Sequence, residues 1–208
     1  MALPIKCFGT LLAAAVLSAG TAQAGDPYVA ELQPLNADKL GRSAEGTATL
    51  EVRDGRLTIS VQASGTAPGT MHLQHYHGFT TGKDAGCPGT DADTNGDGYV
   101  DLLETEPMAG TTLVPFHGSP ASLKIATHSY PTADSDGRIR YEQTVAMDEL
   151  ESALEREHDV SDVDFDKRVV FLHGTAKSAS LPDSVRSLPG VPAQVTLPIA
   201  CGEIRQTR

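Results

Sequence analysis

The sequence predicts an all-β protein, an antiparallel sandwich or barrel with one short inserted helix. Three observations carry that expectation. Residues 47–53 and 56–61 alternate apolar and polar side chains with period two about Asp54-Gly55, a dipeptide that favours a tight hairpin turn. Further short apolar runs recur along the chain between Gly-, Pro- and Asp-rich connections. Only one segment repeats its apolar residues at helical spacing, which makes a helical bundle or an alternating β/α fold the poorer account.

In chain order, residues 1–24 carry one cation, Lys6, then a small-residue and apolar run through Leu17, and end Ala22-Gln23-Ala24. That is the pattern of a cleaved secretion leader, and the apolar run is shorter than the ~20 residues a spanning helix needs. We therefore expect an exported chain, periplasmic or secreted, with no membrane segment after cleavage. Residues 25–45 read as an N-terminal arm, interrupted by Pro27 and Pro34, and the domain proper as 46–208. Strands are expected at 71–77, 122–127, 138–145, 167–172 and 194–199, with a turn at 134–137. Residues 79–116, rich in Gly, Thr and Asp, read as an inserted loop region. The helix is expected over 148–158, capped by Asp148 with Glu151 three residues on, burying Leu150, Ala153 and Leu154.

Charge and cysteines narrow the function. A net charge of −11 over 208 residues argues against a general nucleic-acid binder and against attraction to anionic lipid. Loss of the leader removes Cys7, leaving Cys87 and Cys201 as one pair in an oxidising compartment. A disulfide between them is expected; two free thiols are the alternative.

Residues 93–104, DTNGDGYVDLLE, match all twelve positions of the calcium-binding loop pattern. Asp93, Asn95 and Asp97 would offer side-chain oxygens, Tyr99 its carbonyl, Asp101 an oxygen directly or through water, and Glu104 both carboxylate oxygens. Gly98 stands where the chain must turn sharply. Calcium takes six to eight such oxygens at ~2.3–2.6 Å, which a wrapping loop supplies. Gly86, Pro88 and Gly89 before the loop exclude an entering helix, and Pro107 leaves room for only a short exit helix, so a lone structural ion is expected.

Seven histidines remain. His75 and His77 in MHLQHYHG would project from one face of a strand about 7 Å apart, a spacing two imidazoles can use on one metal. His72 has the opposite parity. His117 in PFHGSP and His173 in VVFLHG each end an apolar run.

Here the sequence resembles the copper–zinc superoxide dismutase family. HLQHYHG at 72–78 is similar to the family strand whose last two histidines bind copper, His117-Gly118-Ser119-Pro120 to its bridging-histidine turn, and VVFLHG to the strand with the fourth copper histidine. IACGEI at 199–204 resembles the closing segment with the second disulfide cysteine, and TADSDGRIRYE a family hairpin. The ordered pieces cover about residues 46–204. The resemblance implies a Greek-key β-sandwich or barrel, copper on His75, His77, His117 and His173, the Cys87–Cys201 bridge, and His72 tying strand to loop. It implies superoxide as substrate, disproportionated by copper cycling between its oxidation states. Three positions depart from the family. Ile125 and Asp134 stand where the zinc histidines would be, so a complete zinc site is not expected. Pro198 stands where the substrate-guiding arginine would be, with Arg186 on the 175–193 loop as a substitute, and the insertion separates His77 from His117 by an unusual distance. Two functions follow: an exported copper-dependent dismutase, or a non-catalytic module of the same fold that binds calcium and copper in the cell envelope.

Overall fold

The computed structural model describes residues 26–125 and 128–207; the leader and Cys7 lie outside the described residues. Eight strands, β1 (Tyr28–Pro34), β2 (Glu45–Arg53), β3 (Arg56–Ser64), β4 (Gln74–Gly78), β5 (Thr111–Pro115), β6 (Ile139–Ala146), β7 (Val169–His173) and β8 (Pro198–Gln206), form one curled sheet. Its order is β5-β4-β7-β8-β1-β2-β3-β6, every pairing antiparallel. β7 returns beside β4 and β6 beside β3, so the strands cross over in Greek-key fashion. The two end strands, β5 and β6, are joined by side chains: the Phe116 ring stacks on Tyr141 at 6.2 Å, and Tyr141 Oη donates to the His117 carbonyl at 2.9 Å.

The β2–β3 hairpin turns as expected, with Asp54 at φ 50° and Gly55 at φ 70°, the left-handed pair that matches strand twist. Alternate residues Ala48, Leu50, Leu57, Ile59 and Val61 point inward and are buried, as are Leu150 and Leu154 of the helix Met147–His158. That helix starts without a side-chain cap at Ala146, not at Asp148, because β6 runs straight into it.

The N-terminal region is not a loose arm. β1 pairs with β2 on one side and β8 on the other, placing Ala30 and Leu32 in the core. Its alternation is only two inward residues long, too short to separate from a loop in sequence. Residues 79–116 hold the short exit helix, Leu102–Ala109, which runs through Pro107, and also β5, a strand that no local pattern there marks. The strand expected at 122–127 is absent among its described residues, where a tight 3-10 turn (Pro120–Ser122) packs against β5 and β6. A short helix, Ala193–Thr196, replaces the start of the strand expected at 194–199. We label the helices Ala37–Leu40, Leu102–Ala109, Met147–His158 and Ala193–Thr196 as α1 to α4.

Candidate metal centre

β4 lies between β5 and β7 and is covered on both faces, so all five of its residues are buried. Tyr76 points into the barrel core, against Phe116 and Phe165. His75 and His77 point the other way, with Val169 and Phe171 directly opposite on β7. A register shift at the end of β7 sets His173 beside them. Their metal-binding nitrogens all lie within 4.8 Å of one another, and His77 Nε2 is 2.9 Å from His75 Nδ1.

Two of the rings are aimed by backbone carbonyls. His77 Nδ1 faces the Gly110 oxygen at 3.2 Å and His173 Nδ1 the Thr196 oxygen at 2.8 Å. A carbonyl only accepts, so each Nδ1 carries the proton and each Nε2 turns a lone pair toward the cluster. His173 Nε2 is buried with no hydrogen-bond partner. A buried, unsatisfied nitrogen of this kind costs stability unless it has a ligand. Gly110 holds this place because its φ of 74° is left-handed and a Cβ there would meet the Gly78 carbonyl at 2.3 Å.

Burial keeps all three imidazoles neutral. Desolvation holds His77 at about 4 and His173 at about 3, and takes His75 well below the ordinary 6.5, helped by the charges His173, His77 and His117 would carry. Neutral imidazole is the metal-binding form. The unfolded chain takes up protons on these rings near pH 6.5, whereas the folded chain refuses them until about pH 4 and 3. Stability is therefore expected to fall as pH drops from 6.5 toward 4, with no contribution above 6.5. Urea midpoints of the metal-free protein at pH 7.5 and 5.0 check this; equal midpoints would contradict it.

His117 is not in the cluster. Its Nδ1 accepts from the Ser119 amide at 3.0 Å, and its Nε2 donates to the Lys124 carbonyl at 2.7 Å, so both ring nitrogens are engaged. His72, fully buried, faces the carbonyl of His173 at 2.9 Å and that of Ala67 at 3.3 Å, tying the approach to β4 onto the ligand-bearing end of β7. Ile125 lines the cavity over the triad and Asp134 makes the 134–137 turn, accepting from the Asp136 and Arg138 amides. Among the described residues no second metal-binding cluster of His, Cys, Asp or Glu is assembled.

The 93–104 loop is wound and tethered. Asp93 accepts from the Gly96 and Gly98 amides, Asn95 from Asp97, and Asp97 from Tyr99. Asp101 caps α2 and Glu104 completes the capping box, while Glu104 Oε1 also accepts from the Thr94 and Asn95 amides. Asn36 clasps Val100 in both directions and reaches the Pro198 carbonyl. Arg186 does not reach the histidines: its Nε and amide donate to Asp101 Oδ2 at 3.2 and 2.8 Å. α2 thus runs from the last two oxygen-bearing residues of the loop to Gly110, whose carbonyl aims His77. Gly110, Thr196 and Asn36 stand outside the motifs that the sequence singles out. For Gly110 a signal existed, a glycine just past a short helix; for backbone carbonyls such as that of Thr196 there is none.

Cys87 and Cys201 are bonded, with Cα atoms 5.8 Å apart. The bridge pins the segment before the loop to the centre of β8, and Cys201 packs with Val169 and Phe171 on the histidine-bearing face.

No protein-family model matches the chain, and no curated protein matches it. Among solved structures it is similar to a Cu/Zn superoxide dismutase from Brucella abortus. The two are 17% identical, the match covers 86% of this chain and 100% of that one, and the TM-score is 0.42. The architecture described above rests on the strand pairings themselves. No described helix is long and apolar enough to cross a membrane.

Proposed function

We propose that this chain is an exported copper-binding protein whose ion is held by His75, His77 and His173. The observation that carries this reading is the buried triad itself: three neutral imidazoles converge, and His173 Nε2 has no other partner. The donor set is all nitrogen, which suits copper, and Cu²⁺ binds such ligands most tightly of the first-row divalent ions. Copper, when bound, supplies a one-electron couple. Gly110 and Thr196 fix the tautomers, and Phe171 packs against the His77 ring at 4.9 Å. His117 would join as a fourth ligand only by giving up its bonds to Lys124 and Ser119. The bridged cysteines and the leader pattern support export.

A second reading, disproportionation of superoxide, is favoured by the ordered motifs from 72–78 to 199–204. Superoxide decay on addition of copper-loaded protein tests it. Turnover exceeding that of the same copper bound to a peptide chelator would support it, and decay no faster would leave a copper-holding module.

For the loop we propose one structural calcium ion on Asp93, Asn95, Asp97, Tyr99, Asp101 and Glu104, supported by the twelve-position match. The ion would take over Glu104 oxygens that now accept amide hydrogens. Removing it with EGTA is expected to lower the melting temperature. A site filled at a hundredfold excess over Kd contributes about 2.7 kcal/mol, or roughly 5–10 °C for a chain of this size. The Asp97→Asn variant, which keeps the oxygen facing Tyr99, should show a smaller shift; an unchanged melting temperature in EGTA would contradict the assignment.

A further inference from the structure

The cavity over the triad, about 220 Å³, has walls from two separate stretches of chain. α2 and Gly110 supply one, with Leu103 and Glu106 on its surface; Leu188 and Thr196 stand on the other. Each wall carries a carbonyl that aims one ring, Gly110 for His77 and Thr196 for His173. A shift of either wall therefore turns an imidazole away from the point where the three converge.

One carboxylate joins the walls. Asp101 is fully buried, and its Oδ1 accepts from the Leu103 and Glu104 amides at 2.9 and 3.1 Å, fixing the first turn of α2. Its Oδ2 accepts from the Arg186 amide at 2.8 Å and from Arg186 Nε at 3.2 Å. Arg186 Nη2 also lies 3.8 Å from Glu104 Oε1. At the far end of α2 the Gly110 amide donates to the Glu106 carbonyl at 2.9 Å. On the other side Ser187, next to Arg186, places its Oγ 2.7 Å from Thr196 Oγ1. These bonds run from the carbonyl that aims His77 to the carbonyl that aims His173, with the Asp101–Arg186 pair at their middle. A carboxylate buried this deeply depends on its partners, because leaving it unpaired is costly.

We infer that Arg186 is a positioning residue of the metal centre: through Asp101 and Ser187 it keeps the two walls in register and so sets how tightly His77 and His173 grip the ion. It acts through the carbonyls alone, since its side chain is held on Asp101, away from the histidines. That role presumes the copper-holding triad proposed above. Cutting the pair leaves the walls packed, because Tyr99 still buries against Val185 and Leu197, so the variants are expected to fold.

Competition titrations with a copper chelator and electron paramagnetic resonance spectra of the Cu²⁺-loaded protein, both in calcium-free buffer, test it. Arg186→Ala should weaken copper binding roughly three- to tenfold, less than the ~10–100-fold that follows loss of a partner bonded to a ligand itself. It should also change the copper hyperfine splitting, which a loss of stability alone would not move. Arg186→Lys, which restores a cation and a donor, should recover part of both. Ser187→Ala should act in the same direction. The Arg186→Ala/Ser187→Ala protein should lose little more than the larger single loss, because links of one chain are not additive. A lower melting temperature in Arg186→Ala, with copper affinity and spectrum unchanged, would overturn the inference and leave the triad standing. Losses that add fully would overturn the transmission through Ser187. A wild-type protein that retains no copper would overturn the triad assignment and this role with it.

Discussion

His173→Ala is expected to reduce copper affinity by more than the ~10–100-fold that follows loss of an outer hydrogen-bonding partner. His173 supplies the nitrogen that is buried without any other partner, and its ring sits 4.6 Å from His75 and 6.0 Å from His77. Removing it leaves two imidazoles, too few to hold the ion against a chelator. The same variant should lose part of the acid sensitivity, because a ring that burial holds down to about 3 is gone. His117→Ala is the contrast. With its nitrogens committed to Lys124 and Ser119, its loss should leave copper affinity within several-fold while loosening the β5–β6 seam. Competition against a chromophoric copper chelator measures both. Equal losses in the two variants would mean a four-histidine site, and no loss in His173→Ala would mean the triad is not the site.

Removing the disulfide is expected to lower stability by about 4–5 kcal/mol. The bridge spans 114 residues, and the chain-entropy model assigns a penalty of that size to freeing so long a loop in the unfolded state. The link is also local to the site. Cys201 lies opposite Phe171 on β7, and Ala85 and Ala109 pack beside it, so loosening it frees the segment that lays α2 and Gly110 over His77. Urea unfolding of the Cys87→Ser/Cys201→Ser protein checks the number, and midpoints within error of wild type would contradict it.

The legible parts of this fold were those with local causes. The β2–β3 hairpin shows because strict alternation flanks a dipeptide tolerant of positive φ. The helix at 147–158 shows through Leu150, Ala153 and Leu154 on one face. The Cys87–Cys201 bridge was expected because a cleaved leader would leave only that pair. β1 was not legible, since its place is fixed by partners at both edges and not by its own two inward residues. β5 is masked by the Gly- and Asp-rich composition around it. At the site, the parity of His75 and His77 predicted their common face, and the end of an apolar run marked His173. That His117 turns to Lys124 depends on a turn geometry no spacing records. The anchoring of Arg186 on Asp101 joins segments 85 residues apart, beyond any local pattern.

Three buried histidines whose nitrogens converge should hold one metal ion. Metal content after copper loading and exhaustive dialysis, measured by mass spectrometry on wild-type and His75→Ala protein in parallel, tests it most directly. About one copper per chain is expected in wild type and essentially none in the variant, which has lost the ring that lies against both others. Copper absent from the wild type, or retained equally by both, would contradict it.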